Sequence, residues 1–122
     1  MIFFLSVREG AAWGGGEMRR VTLDNFYTTI AVAGTAVAIL ARDATNRRVI
    51  GPASILITAR KSKAAANTGN VYVGNRKGQS EVLEPGDRLV IDVDRTEEVD
   101  LSDVFVDAAT DGDGVAVTVK QS

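Results

Sequence analysis

Cysteine and histidine are both absent from this 122-residue sequence. Their absence excludes disulfide bonds, thiol nucleophiles, Cys/His zinc sites and catalytic triads with a histidine base. Any catalysis would have to use carboxylates, lysine, tyrosine or a carboxylate-bound metal. The carboxylate pairs Glu97–Glu98 and Asp92–Asp94 do not suit glycoside hydrolysis, because a single tryptophan provides little aromatic wall for a sugar. We therefore predict a protein that is not an enzyme and that needs no cofactor.

Length and composition are those of one globular domain. The chain has a mass of 12.9 kDa, 45% hydrophobic and 25% charged residues, and a net charge of -2. Its longest uncharged run, residues 25–41, is rich in alanine and threonine and contains Gly34. A membrane-spanning helix needs roughly 20 strongly apolar residues. We therefore expect no membrane segment and no membrane partner.

Short runs rich in β-branched residues predominate after residue 19 and predict about eight strands with partial period-two alternation. These runs are residues 20–23, 26–32, 35–41, 53–59, 70–74, 88–94, 103–108 and 115–120. Turn-forming residues separate the runs at a spacing of roughly 8–12 residues, which is typical of all-β proteins. We predict an all-β fold, a β-sandwich or jelly-roll-like barrel. A helix over residues 28–41 is the alternative, which threonine, valine, isoleucine and Gly34 disfavour.

The first 17 residues admit two interpretations. They begin with a short apolar run and continue as a glycine-rich, linker-like stretch over residues 10–17. No basic residue precedes the apolar run, so it is a poor secretory signal. In one interpretation residues 1–17 form an arm that docks on a neighbouring subunit through Phe3, Phe4, Leu5 and Trp13. In the other, translation starts at Met18 behind a purine-rich message. In both, the single β-sandwich domain is residues 18–122.

Charge is unevenly distributed along the chain. Residues 1–80 carry a net charge of +7 and residues 81–122 a net charge of -9, which together give -2. If strands from the two parts interleave in space, this asymmetry has no consequence. If they do not, the molecule has a positive and a negative flank suited to contacts between copies.

Three aspartates near the C-terminus form a weak calcium candidate: Asp107, Asp111 and Asp113. Carboxylates clustered on a glycine-rich loop can bind calcium, which prefers six to eight oxygen ligands. The EF-hand pattern is absent, however. Asp-Gly is also a common turn signal, because glycine tolerates positive φ. We therefore favour a turn and assign no metal.

The basic run Arg60-Lys61-Ser62-Lys63 could form part of a basic patch for nucleic acid. Five basic residues elsewhere in the chain could join it: Arg42, Arg47, Arg48, Arg76 and Lys77. Only Tyr72 is near it in sequence as a stacking aromatic, and the pI of the chain is about 5.1. We therefore expect no nucleic-acid partner.

A longer pattern begins at residue 53. Residues 55–59 read I-L-I-T-A, and residues 67–74 read N-T-G-N-V-Y-V-G. Residues 83–87 read L-E-P-G-D, residues 101–106 read L-S-D-V-F-V, and residues 114–119 form a final valine-rich run. This order resembles small β-sandwich virion proteins of tailed bacteriophages, over about residues 53–119.

The motif residues make physical sense as structural elements. Asn67 and Gly69 can adopt left-handed turn geometry, and Pro85 with Gly86 can form the turn that starts the next strand. Their expected role is in the fold and not in catalysis.

The resemblance implies a structural virion protein, most specifically a capsid decoration or cement protein on the outer surface of the head. Its partners would be the major capsid protein and copies of itself, commonly as a trimer. We assign the interface to Phe3, Phe4, Leu5, Trp13, Arg19, Arg20, Arg47 and Arg48. The alternatives are a tail- or fibre-associated module that binds a glycan or a partner protein, and a cellular β-sandwich adaptor.

We expect native mass spectrometry of the purified protein to detect a trimer of full-length chains, because decoration proteins of this kind commonly assemble around lattice axes. The same spectrum gives the mass of one chain. A monomer that begins at Met18 would contradict the arm, weaken the decoration role and favour an adaptor or binding module.

Overall fold

The computed structural model describes residues 2–7 and 19–121. These residues form eleven strands and one 3-10 turn, Leu101–Asp103. The strands are β1 (Ile2–Val7), β2 (Arg19–Thr29), β3 (Val37–Ala38), β4 (Arg48–Ile50), β5 (Ala53–Thr58), β6 (Val71–Gly74), β7 (Glu81–Leu83), β8 (Arg88–Val93), β9 (Glu98–Asp100), β10 (Phe105–Ala108) and β11 (Gly114–Gln121). The predicted all-β class is confirmed. No helix in residues 2–7 or 19–121 has the length and apolarity to cross a bilayer.

Three antiparallel sheets make up the fold. The large sheet has the strand order β1-β2-β11-β5-β8, so the last strand of the chain lies at its centre. The second sheet has the order β3-β10-β6-β7, and β4 pairs with β9 in the third. This arrangement is compatible with a β-sandwich, in which the inward-facing side chains of two sheets form one core.

The core comes from alternate positions of the predicted runs. Ile55 and Ile57 of β5 are fully buried, as is Val115 of β11, and Val117 of β11 is almost fully buried. Val106 of β10 is buried with them in the same cluster. Each such side chain contributes about 2 kcal/mol by its removal from water. The period-two pattern therefore identifies the inner face of these strands correctly.

The region before residue 53 departs from the sequence prediction. Residues 20–23 and 26–29 belong to one long strand, β2, whereas the run 35–41 contributes only the two-residue β3. Gly34 adopts φ +88°, and residues 31–36 turn the chain away from the large sheet. Residues 2–7 add a further strand, which pairs antiparallel with β2 of the same chain from Ile2↔Asp24 to Val7↔Arg19.

The two oppositely charged parts of the sequence are interleaved. The strand β5 lies between β11 and β8, and β6 lies between β10 and β7. The ion pairs found in the described residues all join a cation before residue 80 to an acid after it: Arg42–Asp103, Arg47–Asp100, Arg48–Glu98 and Lys61–Asp113. These pairs offset part of the asymmetry locally, so it does not divide the molecule into two flanks.

Asp100 organises the connection between the third sheet and β10. Its carboxylate accepts hydrogen bonds from the Ser102 backbone N–H (2.9 Å) and hydroxyl (2.6 Å), which caps the 3-10 turn. The Arg47 Nε also donates to it at 3.1 Å. The hydrogen bonds from Ser102, followed by the charge and hydrogen bond of Arg47, lower the pKa of Asp100 from 3.8 to about 2.

We expect the substitution Ser102→Ala to raise the pKa of Asp100 towards its ordinary value, because it removes the hydroxyl donor. Since the folded pKa lies below the unfolded one, the contribution of Asp100 to stability is complete above about pH 4. It is lost as the pH falls towards 2. Carbon-13 NMR titration of the side-chain carboxyl measures the change.

The matched control is Ser80→Ala, at an exposed serine remote from this turn in sequence. It should leave the Asp100 titration unchanged. An equal response to both substitutions would show that Ser102 does not set this pKa.

Candidate functional site

The three aspartates of the calcium candidate do not form a ligand set. Asp107 Oδ1 accepts hydrogen bonds from the backbone N–H groups of Gly34 (2.9 Å) and Ala108 (2.7 Å). Asp111 Oδ1 accepts one from the N–H of Ala33 at 2.7 Å. Both carboxylates therefore hold the loop that follows β2. Among residues 2–7 and 19–121, no group of three or more acidic, cysteine or histidine side chains is placed to hold a metal ion.

Asp113 is the most deeply placed of the three, with a relative exposure of 0%. Its carboxylate accepts hydrogen bonds from the backbone N–H groups of Thr68 (2.9 Å) and Gly69 (2.8 Å). The Lys61 ammonium lies 3.8 Å from Oδ1. A buried carboxylate is tolerated only when such donors and a counter-charge replace its hydration. Asp113 is therefore a structural anchor for the loop before β6.

Asn67 completes the same connection. Its side-chain Nδ2 donates to the carbonyl of Gly114 at 2.8 Å, and the Gly114 N–H donates to Asn67 Oδ1 at 3.1 Å. The amide therefore pairs with both backbone groups of one residue of β11, as a neighbouring strand would. On its other side, Gly114 allows β2 to approach closely, since a Cβ there would lie 2.3 Å from the carbonyl oxygen of Thr28.

The conformational role expected for Asn67 and Gly69 is wrong. Positive φ among the described residues occurs only at Gly34, Gly86 and Gly112. Asn67 acts through its side chain instead, and Gly69 leaves room for Thr110, whose Oγ1 would lie 2.8 Å from an added Cβ. The expected turns at Pro85-Gly86 and Asp111-Gly112 are both present, with φ +90° at Gly86 and +84° at Gly112. The N-T-G and D-G-D-G motifs therefore lie in contact and are joined by hydrogen bonds.

Two of the predicted interface arginines bind their own chain. Arg47 donates through Nε to Asp100 and through Nη1 to the carbonyl of Arg42 at 2.6 Å. Arg48 pairs with Glu98 across β4 and β9 at 3.4 Å. Arg47 is thereby committed to local structure, whereas Arg48 keeps an exposed side chain in a weak surface pair.

The remaining predicted interface residues lie at the N-terminal edge of the large sheet or outside the described part of the chain. The backbone of β1 carries Phe3, Phe4 and Leu5, and Arg19 and Arg20 begin β2. The side chains of these five residues, and the whole of Trp13, lie outside what the structure describes.

The outer face of the large sheet carries an apolar patch that sequence reasoning missed. Cross-strand register places Val90 beside Leu56 and Tyr27 beside Ala116. Tyr27 is 49% exposed and Val90 is 50% exposed, and Leu56 and Ala116 are half-buried between them. We call Tyr27, Leu56, Val90 and Ala116 the outer patch. The sequence contains one indication of this patch: Val90 is an apolar residue on the strand face that also carries the charged Arg88 and Asp92.

Two surface depressions lie elsewhere. The first is a groove of about 440 Å³ at the end of β5 and β8, where Asp92 and Asp94 face Arg95 and Lys120. Its opposite charges balance one another. The second has a volume of about 360 Å³ and an excess of cations, contributed by Arg42, Arg76 and Lys77.

Comparison with known proteins identifies no relative. No protein-family model, curated protein or solved structure matches this chain. The resemblance to phage virion proteins therefore stays a prediction that depends on residues 53–119. The structure adds a physical role for the motif residues, since Asn67 and Asp113 connect two loops of the fold.

We expect Asp113→Asn to destabilise the protein by about 2 kcal/mol, because one amide nitrogen would face backbone N–H donors in a buried position. The matched substitution Asp111→Asn should cost under about 1 kcal/mol, since an exposed asparagine still offers Oδ1 to Ala33. Urea denaturation of both variants measures the difference through their midpoints. Equal midpoints would show that Asp113 is not the anchor described here.

Proposed function

We propose that this chain is a non-enzymatic structural protein of a tailed-phage virion, a decoration protein that binds the major capsid protein on the outer surface of the head. The sequence resemblance over residues 53–119 names the class of protein. The outer patch is the structural observation that carries the proposal, because it supplies a surface on which such a protein can bind its partner.

The composition of the outer patch favours contact with protein. An antiparallel sheet with one solvated face normally alternates apolar and polar residues, so its outward positions are polar. Here two outward cross-strand pairs are apolar, Leu56–Val90 and Tyr27–Ala116. They lie diagonally to each other, with Thr58 and Thr118 beside them, while Arg88 and Asp92 lie on the same strand as Val90. An apolar centre with charged residues at its border is the usual anatomy of a protein–protein interface.

The sheet that carries the outer patch is well suited to a stabilising role. The patch lies on β2, β11, β5 and β8, which are paired along most of their length. A surface held by paired strands loses little conformational entropy when it binds, so more of the contact energy remains for affinity. A trimer would present three such surfaces, and simultaneous contact with several capsid subunits would strengthen the shell through multivalent binding.

The test is co-sedimentation of the purified protein with expanded shells assembled from the major capsid protein of the same genome. We expect saturable binding of the wild type. Val90→Lys should weaken binding by about tenfold or more, since it places a charge within the patch, directly beside Leu56.

Val82→Lys is the matched control, because Val82 is 52% exposed but lies on β7 of the second sheet. It should bind shells as the wild type does. Failure of the wild type to bind, or equal loss in the two variants, would overturn the proposal. Co-sedimentation with tails and not with shells would instead support the tail-associated alternative.

A further inference from the structure

The second depression lies where the loop after β3, the loop between β6 and β7, and the start of β10 meet. We call it the basic pocket; its lining consists of Arg42, Asn75, Arg76, Lys77, Asp103 and Phe105. None of these residues belongs to the outer patch, which is on the large sheet. The basic pocket is therefore a separate surface feature of the molecule.

The β6–β7 loop is held in one conformation by its own hydrogen bonds. Asn75 Oδ1 accepts the backbone N–H groups of Lys77 (2.8 Å) and Gly78 (3.1 Å), and Asn75 N–H donates to the carbonyl of Gly78 at 3.0 Å. The Gln79 amide also donates to the Asn75 carbonyl. A Cβ at Gly74 would lie 2.1 Å from the Gly78 carbonyl oxygen, so glycine is required there. The backbone that carries the two cations is thus preorganised.

The cations of this pocket are only partly neutralised by the protein. Arg42 pairs with Asp103 at 3.3 Å, but both side chains are largely exposed, so the pair is weak. Neither Arg76 nor Lys77 forms an ion pair with any residue of the described chain. The pocket therefore has an excess of positive charge in a protein whose net charge is -2.

Arg76 is positioned by an aromatic ring. Its guanidinium carbon lies 5.6 Å from the centroid of the Phe105 ring, a cation–π contact that favours a fixed orientation of the side chain. A guanidinium that covers a ring face still directs its N–H groups outward in its own plane, where they can donate to a carboxylate in a bidentate manner. Phe105 thus orients a donor for an anion.

The same contact decides among anionic ligands. A sugar or a nucleic-acid base would stack on an exposed aromatic face, but Arg76 already covers Phe105. Nucleic acid is further disfavoured because the pocket supplies three cations, Arg42, Arg76 and Lys77, for a continuous run of backbone phosphates. A carboxylate side chain needs only the Arg and Lys donors. The features of the pocket favour an acidic protein segment.

We infer that the basic pocket is a docking site for an acidic segment of a partner protein, with Arg76 and Lys77 as the carboxylate donors. The site is distinct from the outer patch and does not depend on the virion assignment. Its ligand is defined by its chemistry, an aspartate- or glutamate-rich stretch.

The test uses the full chain and a fluorescein-labelled, C-terminally amidated pentaglutamate peptide at low ionic strength, with fluorescence anisotropy as the readout. We expect saturable binding that weakens as salt is added. Arg76→Gln combined with Lys77→Gln should weaken binding by about tenfold or more, since charge-assisted hydrogen bonds are lost.

The matched control combines Lys63→Gln with Arg88→Gln, which removes the same charge from exposed positions outside the pocket. This control should retain binding within about twofold, because only the long-range attraction changes. Equal loss in both double variants would show general charge attraction and overturn the inference.

Competition experiments distinguish the sources of the anion. Unlabelled pentaglutamate should displace the probe, and pentaglutamine should not. Stronger displacement by glucuronate or by oligothymidylate would overturn the inference, as would absence of pentaglutamate binding. These assays contain no capsid, so their failure is distinguishable from failure of the decoration proposal.

Discussion

The buried carboxylate of Asp113 is the interaction on which the rest of the structure depends. It lies directly before β11, the central strand of the large sheet, and it binds the backbone that leads into β6 of the second sheet. One side chain thereby fixes the relative position of strands in two sheets. Asn67 supports the connection from the other side through Gly114. Without these contacts, the loops before β6 and β11 would keep the backbone hydrogen bond from the Ala109 N–H to the Asn70 carbonyl (3.0 Å) and the packing of the core.

This connection explains why the recognisable motifs are structural. A buried charge is costly unless donors surround it, so the N-T-G and D-G-D-G segments must occur together in one arrangement. Asp107 and Asp111 are less buried, but their carboxylates are likewise occupied by backbone donors, those of the loop after β2. Function in this chain consequently has to be sought on surfaces, where side chains are not required by the fold.

The inner face of the sandwich could be predicted from sequence because burial depends on local alternation. Ile55, Ile57, Val115 and Val117 follow a period of two, and all four are in the core. Strand order could not be predicted in this way. The pairing of β11 with both β2 and β5 joins residues far apart in the chain, and alternation carries no information about which runs become neighbours. The lengths of β2 and β3 depend on these pairings too, since β2 pairs along the whole of β11 and β3 pairs with only two residues of β10.

The grouping of residues into the outer patch and the basic pocket could not be predicted for a related reason. The outer patch exists because Leu56, Val90 and Tyr27 come from three separate runs, each of which shows only one apolar residue on a mostly polar face. The basic pocket likewise combines Arg76 with Phe105 and Arg42 from distant segments. Groups that are contiguous in the sequence, such as Phe3-Phe4-Leu5 and Arg47-Arg48, are easier to recognise as candidate interfaces. In the structure, however, Arg47 is hydrogen-bonded to Asp100 of its own chain.

The two surfaces differ in the physics of recognition. The outer patch gains affinity from apolar area removed from water, which depends little on salt. The basic pocket gains affinity from charge, which salt screens. Since they lie on different sheets, a single molecule can present both to partners at once. Taken together, the two proposals describe a small chain that connects two proteins, with an apolar contact that supplies strength and an electrostatic contact that supplies selectivity.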